Sequence, residues 1–125
     1  MNYPIKSFII SSITLIILDV IFLYINGNTF KNIILNIQGT PLELKIWSAI
    51  ICYIIITTGL WYFIISKHRS PLDAFLLGVF VNGVYETTTY SVLKKWSPLF
   101  MIIDTLWGGI LFSVTTIITY KVLSQ

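Results

Sequence analysis

Three of the five acidic residues in this chain interrupt long apolar runs: Asp19, Glu86 and Asp104. Glu43 and Asp73 sit at the ends of such runs, where solvent or a helix dipole accounts for them. A carboxyl near the middle of a membrane-crossing helix costs about 2.5–3.5 kcal/mol, so the other three need a reason to be there. Acids in that position bind protons, cations or small polar ligands, or else hydrogen-bond one helix to another. No Lys, Arg or His lies in the interior of the runs, beyond their first two residues, to neutralise them. Three ionised carboxylates close together would repel and lose hydration, so a cluster of this kind is expected to hold protons or share a cation.

Depth brings the three acids together. With run midpoints near Leu15, Asn82 and Gly109, Asp19 and Glu86 each follow their midpoint by four residues. Asp104 precedes its midpoint by five, in a run of opposite direction. At about 1.5 Å per residue, all three lie roughly 6–8 Å from the bilayer centre on the same side.

Helical periodicity adds neighbours to the acids. Gly78, Asn82, Glu86 and Thr89 share one face of the third run with Tyr85 and Tyr90 flanking, which makes a polar stripe on an apolar helix. Asp104, Gly108, Leu111 and Thr115 share a face of the fourth, and Ser12, Asp19 and Asn26 recur by sevens in the first. Gly78 and Gly108 are small enough for close backbone approach. The expected pocket is therefore Asp19, Glu86 and Asp104, supported by Asn82, Tyr85, Thr89 and Trp107.

The elements that must position these residues follow from punctuation. Residues 5–25 form a first span after Pro4, ending at Asn26-Gly27-Asn28. Residues 29–38 alternate Phe30, Ile33, Ile34 and Ile37 with Lys31, Asn32, Asn36 and Gln38, the pattern of a short helix lying in the membrane interface. Residues 44–65 form a second span. Ser70-Pro71-Leu72-Asp73 starts a third, with Ser as cap, Pro in the first turn and an acid at the positive end of the dipole. That span reaches residue 93, and residues 99–120 form the fourth after the Lys94-Lys95-Trp96-Ser97-Pro98 turn. Trp47, Trp61, Trp96 and Tyr120 read as anchors at the headgroup level. The first run is longer than a signal-peptide core and lacks a small-x-small cleavage pattern, so it is expected to be a retained span.

Composition narrows the function classes. The 125 residues are 56% hydrophobic and 10% charged, against about 25% charged in soluble domains. Together with a mean hydropathy of +0.86 this points to a single membrane domain over residues 1–125, with the lipid bilayer as its surroundings. The eight basic residues are scattered, which argues against nucleic acid as a partner. Cys52 is the sole cysteine and His68 the sole histidine, with no metal-ligand spacing around either, so neither a metal nor a cofactor is implied. Thr87, Thr88 and Thr89 have no histidine beside them within the membrane, and no catalytic residue is assigned.

Several segments resemble a family. Asp19-Val20-Ile21-Phe22, Val84-Tyr85-Glu86-Thr87-Thr88-Thr89, Leu93-Lys94-Lys95-Trp96 and Asp104-Thr105-Leu106-Trp107-Gly108 resemble, in order and spacing, the small four-span predicted membrane proteins of the domain of unknown function 2177 family. The family pattern places Trp where this chain has Phe22, Asp where it has Glu86 and Asn where it has Thr89. Acidity at all three sites is retained. The resemblance implies a fold and a motif set, without a reaction.

The expectation is thus an all-α, multi-pass integral membrane protein, a four-helix bundle with a short interfacial helix between spans one and two. Lys6, Lys67, Arg69 and Lys121 fall on the terminal side and Lys31, Lys45, Lys94 and Lys95 on the other. The tight Lys67-His68-Arg69 turn favours cytoplasmic termini. Three functions are open: a proton, cation or small-ligand transporter or channel subunit acting as a homo-oligomer, a structural or partner-binding subunit in which the acids are hydrogen-bonding glue, and, ranked last because no lipid-enzyme motif is present, an enzyme acting on lipid.

Overall fold

A computed structural model describes residues 2–124. The helices are α1 (Tyr3–Ile25), α2 (Gly27–Gln38), α3 (Ile46–Leu60), α4 (Pro71–Val92) and α5 (Pro98–Leu123), and α3 continues into a π-helical turn at Trp61–Ile65. Three of these are long and apolar enough to cross a membrane: Tyr3–Ile25, Ile46–Ile65 and Pro98–Leu123. α4 matches them in length with 22 residues, but the polar side chains of its second half, from Asn82 to Ser91, make it less apolar.

Local chemistry sets the boundaries. Asn2, Ser70 and Ser97 each cap a helix that has proline in its first turn, accepting from the backbone N–H of Ile5 (3.2 Å), Asp73 (3.1 Å) and Phe100 (3.1 Å). Such caps satisfy amides that have no partner inside the helix. Gly39 ends α2 at φ 75°, a left-handed conformation that costs glycine nothing. The end of the π turn is a Schellman closure in which Arg69 N–H reaches Ile64 O and His68 N–H reaches Ile65 O. His68 takes φ 54° there, where glycine is usual.

The expected break at Asn26-Gly27-Asn28 is narrower than the sequence implied. α2 begins at Gly27, immediately after Asn26, rather than at residue 29. Asn26 holds the corner by giving both its backbone N–H and its side-chain amide to Phe22 O, each at 3.0 Å.

The two ends of the molecule are distinct. At one, Tyr3 stacks on His68 with centroids 4.7 Å apart, and Tyr120 donates its hydroxyl to Arg69 O at 2.6 Å. Both termini therefore meet the α3–α4 turn. At the other, Phe30 of α2 packs on Trp96 and Lys95 donates to Asn36 O at 3.4 Å. Consequently α1, α3, α4 and α5 run alternately up and down.

Within this bundle α4 and α5 form the most intimate pair, α1 packs on α5, and α3 packs on α1, whereas α3 and α4 scarcely touch. The α4–α5 contact is backbone against backbone. A methyl group on Gly78 would overlap the Gly108 carbonyl, and one on Gly108 would stand 2.6 Å from the Asn82 amide carbon. Small residues at such crossings let helices approach where lipid offers no hydrophobic drive. The buried stripe of α1 is Ser7, Ser11 and Leu15, one residue off the Ser12–Asp19–Asn26 line that spacing picked out, and α5 buries Thr115, Thr116 and Thr119. Apolar residues such as Ile13, Ile17, Val20, Ile54 and Phe80 point outward, as a bilayer requires.

A candidate carboxyl site within the bundle

Asp19 is held from two sides. Its Oδ2 accepts the Tyr53 hydroxyl of α3 at 2.6 Å and its Oδ1 accepts the Trp107 indole N–H of α5 at 2.9 Å. One turn along α1, Phe22 stacks on Trp107 with centroids 4.6 Å apart and planes 7° from parallel. The stack fixes the indole so that its N–H meets the carboxylate. Phe22, where the family pattern has Trp, still supplies an aromatic face.

Glu86 is only 1% exposed. Its Oε1 accepts the Trp96 indole N–H at 2.8 Å. Trp96 sits in an aromatic cluster with Phe30 and Phe100, at centroid separations of 6.2 and 6.1 Å. Expected as a headgroup anchor, Trp96 is instead 4% exposed and folds back ten residues to cap the carboxyl. The other proposed anchors vary. Trp47 is exposed, but Trp61 gives its N–H to Ser7 Oγ at 3.0 Å, and Tyr120 is tied to the α3–α4 turn.

Asp104 lies on α5 within electrostatic range of both Glu86 and Asp19. Asn82 donates to the Asp104 backbone carbonyl at 2.9 Å, across the space that the missing side chain of Gly108 leaves. The three acids are therefore not equivalent: Glu86 is buried beneath Trp96, Asp19 has both oxygens engaged by neutral donors, and Asp104 sits on the stretch of α5 that Asn82 ties to α4. Among the described residues, the ion pair found is Arg69–Asp73 at 3.9 Å, far from this site at the terminal end, and no set of three His, Cys, Asp or Glu side chains is arranged to hold a metal.

The remaining expected members divide. Asn82 and Trp107 touch the acids or the backbone that carries them. Tyr85 is 57% exposed and faces away from the core, and Thr89 turns its hydroxyl to Tyr85 O of its own helix at 2.7 Å. Sequence reasoning missed Tyr53 and Trp96. For Tyr53 the signal was a hydroxyl at mid-depth in an otherwise apolar span; for Trp96, an indole one short turn from the end of the helix bearing Glu86.

A family model described as predicted membrane protein, DUF2177, matches residues 4–121. Comparison with curated proteins and with solved structures finds no match.

Proposed function

We propose that this chain, which belongs to the DUF2177 family of predicted membrane proteins, is a non-enzymatic proton-binding subunit of a small membrane transporter or channel. One observation carries the reading. Glu86 is buried at 1% exposure, with an indole N–H rather than a cation as its donor, and Asp104 of the adjoining helix lies within electrostatic range of it. A carboxyl pair without a countercharge binds and releases a proton far more readily than it holds a metal, and intramembrane acids of this kind belong to proton relays. α4 acts as the fourth span: at about 1.5 Å per residue its 22 residues reach across a hydrocarbon core of about 30 Å. Four helices enclose little space, so the working unit is a homo-oligomer. The end that gathers the termini with Lys6, Lys67, Arg69 and Lys121 faces the cytoplasm.

The test is proton flux into proteoliposomes that carry a pH-sensitive dye, under an imposed potassium diffusion potential. Wild type should acidify the lumen at least about ten-fold faster than Glu86→Gln or Asp104→Asn, each verified as helical; a ten-fold change corresponds to about 1.4 kcal/mol of barrier. No flux from wild type across pH and potassium gradients would overturn the reading.

A second reading is favoured by Asp19, whose two oxygens tie α1 to α3 and α5 through neutral donors. In it the acids are structural glue in a subunit that binds a partner. It predicts that the amide variants keep assembly and partner function unchanged.

A further inference from the structure

The bundle is closed on three seams and open on one. α1 fills the angle between α3 and α5, and α5 lies flush on α4, but α3 and α4 scarcely meet. At the terminal end this seam widens into a groove of about 580 Å³. Volumes of that order accommodate a drug-sized ligand or a substantial part of a lipid. The groove has two kinds of wall. Toward the membrane interior it is apolar, lined by Phe63 on the π turn and by Leu76 and Leu77 on α4. At its mouth stand Lys67 and Arg69, with Asp73 beside them.

The basic groups have bonding capacity to spare. The Lys67 ammonium, with three donors, gives one to Tyr62 O at 3.0 Å and rests 3.8 Å above the Tyr62 ring. The Arg69 guanidinium, with five, meets Asp73 at 3.9 Å, and both side chains of that pair are largely open to solvent. The mouth therefore keeps a net positive charge and several free N–H groups. It lies where a span ends and the α3–α4 turn begins, the depth at which lipid phosphates sit.

We infer that this groove is a binding site for an anionic phospholipid, with the phosphate at Lys67 and Arg69 and one acyl chain laid in the seam between the π turn and α4 along Phe63, Leu76 and Leu77. Charge complementarity selects the anionic class, since basic pockets between membrane helices recognise such headgroups. The apolar wall, continuous with the outer surface of α4 through exposed Leu72 and Leu76, selects a lipid over a free phosphate. This assignment is independent of proton binding, because the groove is at the opposite end of α4 from Glu86.

The test uses the full chain, delipidated in detergent and incubated with phosphatidylglycerol or phosphatidylcholine of identical acyl chains, with bound lipid counted by native mass spectrometry. Phosphatidylglycerol should be retained in preference to phosphatidylcholine. The double variant Lys67→Gln/Arg69→Gln should lower phosphatidylglycerol affinity about 30-fold, two basic groups each contributing about five-fold, and lower that of phosphatidylcholine, whose choline offsets its phosphate charge, much less. Leu76→Trp, which fills the seam without altering charge, should weaken both lipids. Lys94→Gln/Lys95→Gln, at the far end, should alter neither. Equal retention of the two lipids by wild type, or undiminished phosphatidylglycerol binding by the Lys67/Arg69 variant, would overturn the assignment. So would displacement of phosphatidylglycerol by equimolar glycerol 3-phosphate, which would mark a site for the free phosphate instead.

Discussion

Gly78→Ala should destabilise this protein more than removal of any single hydrogen bond in it. A β-carbon built on Gly78 overlaps the Gly108 carbonyl oxygen and lies 2.5 Å from its carbon and 2.9 Å from Gly109 N, against an ordinary contact of at least 3.4 Å. All three obstructing atoms are backbone, so no side-chain rotation relieves them. The helices must part by about 1 Å over their closest approach, which loosens dispersion contacts along the pair and shifts Asn82 from the Asp104 carbonyl. Overpacking of this kind costs about 1–3 kcal/mol, occasionally more. Gly83 lies on the same helix and supplies the control: its added methyl would meet only Thr105 Cγ2 at 3.4 Å. Gly83→Ala should therefore be neutral or stabilising by up to about 1 kcal/mol, the helix-propensity difference. The assay is reversible unfolding of the detergent-solubilised protein in increasing dodecyl sulfate, followed by tryptophan fluorescence. Equal stabilities of wild type and Gly78→Ala, or equal losses at Gly78 and Gly83, would refute the backbone-contact account of the α4–α5 pair.

Other outcomes follow from the same contacts. Tyr53→Phe removes one donor from Asp19 and should cost about 0.6 kcal/mol, and no more than about 1.7, the range for hydrogen bonds between membrane helices. A double-mutant cycle with Asp19→Leu should recover most of that loss, and additivity in the cycle would argue against the bond. Thr115 is fully buried with a hydroxyl that has no partner among the described residues, so Thr115→Val should leave stability unchanged or raise it by up to about 1 kcal/mol in the same titration. A loss greater than that would mean the hydroxyl has a partner, such as a water.

Much of the architecture was legible because punctuation and apolarity are local. Ser70-Pro71 and Ser97-Pro98 announce helix starts from the residues themselves, and Gly78 and Gly108 announce a close crossing because little else permits one. What stayed hidden depends on side chains reaching between elements. Trp96 belongs by sequence to a surface turn, but its indole folds back to Glu86 and packs against Phe30 of α2, a helix far earlier in the chain. Tyr53 was not singled out, since the hydroxyls of its span (Ser48, Tyr53, Thr57, Thr58 and Tyr62) are spread along an isoleucine-rich helix and nothing local marks the one that reaches Asp19. On α1, the heptad of polar residues lay one position from the buried Ser7–Ser11 line, a rotation of about 100° that rise alone cannot resolve. The open α3–α4 seam depends on how four helices share their contacts, and no single helix encodes it.

The central claim, that Glu86 and Asp104 form one proton-sharing pair, is most directly tested by infrared difference spectroscopy of carboxyl bands across a pH titration of the protein in lipid. If the pair is real, Asp104→Asn should move the titration midpoint of the Glu86 band by about one pH unit or more, and Glu86→Gln should do the same to the Asp104 band. If each variant deletes only its own band and leaves the other midpoint in place, the two carboxyls titrate alone and the proposed site does not exist.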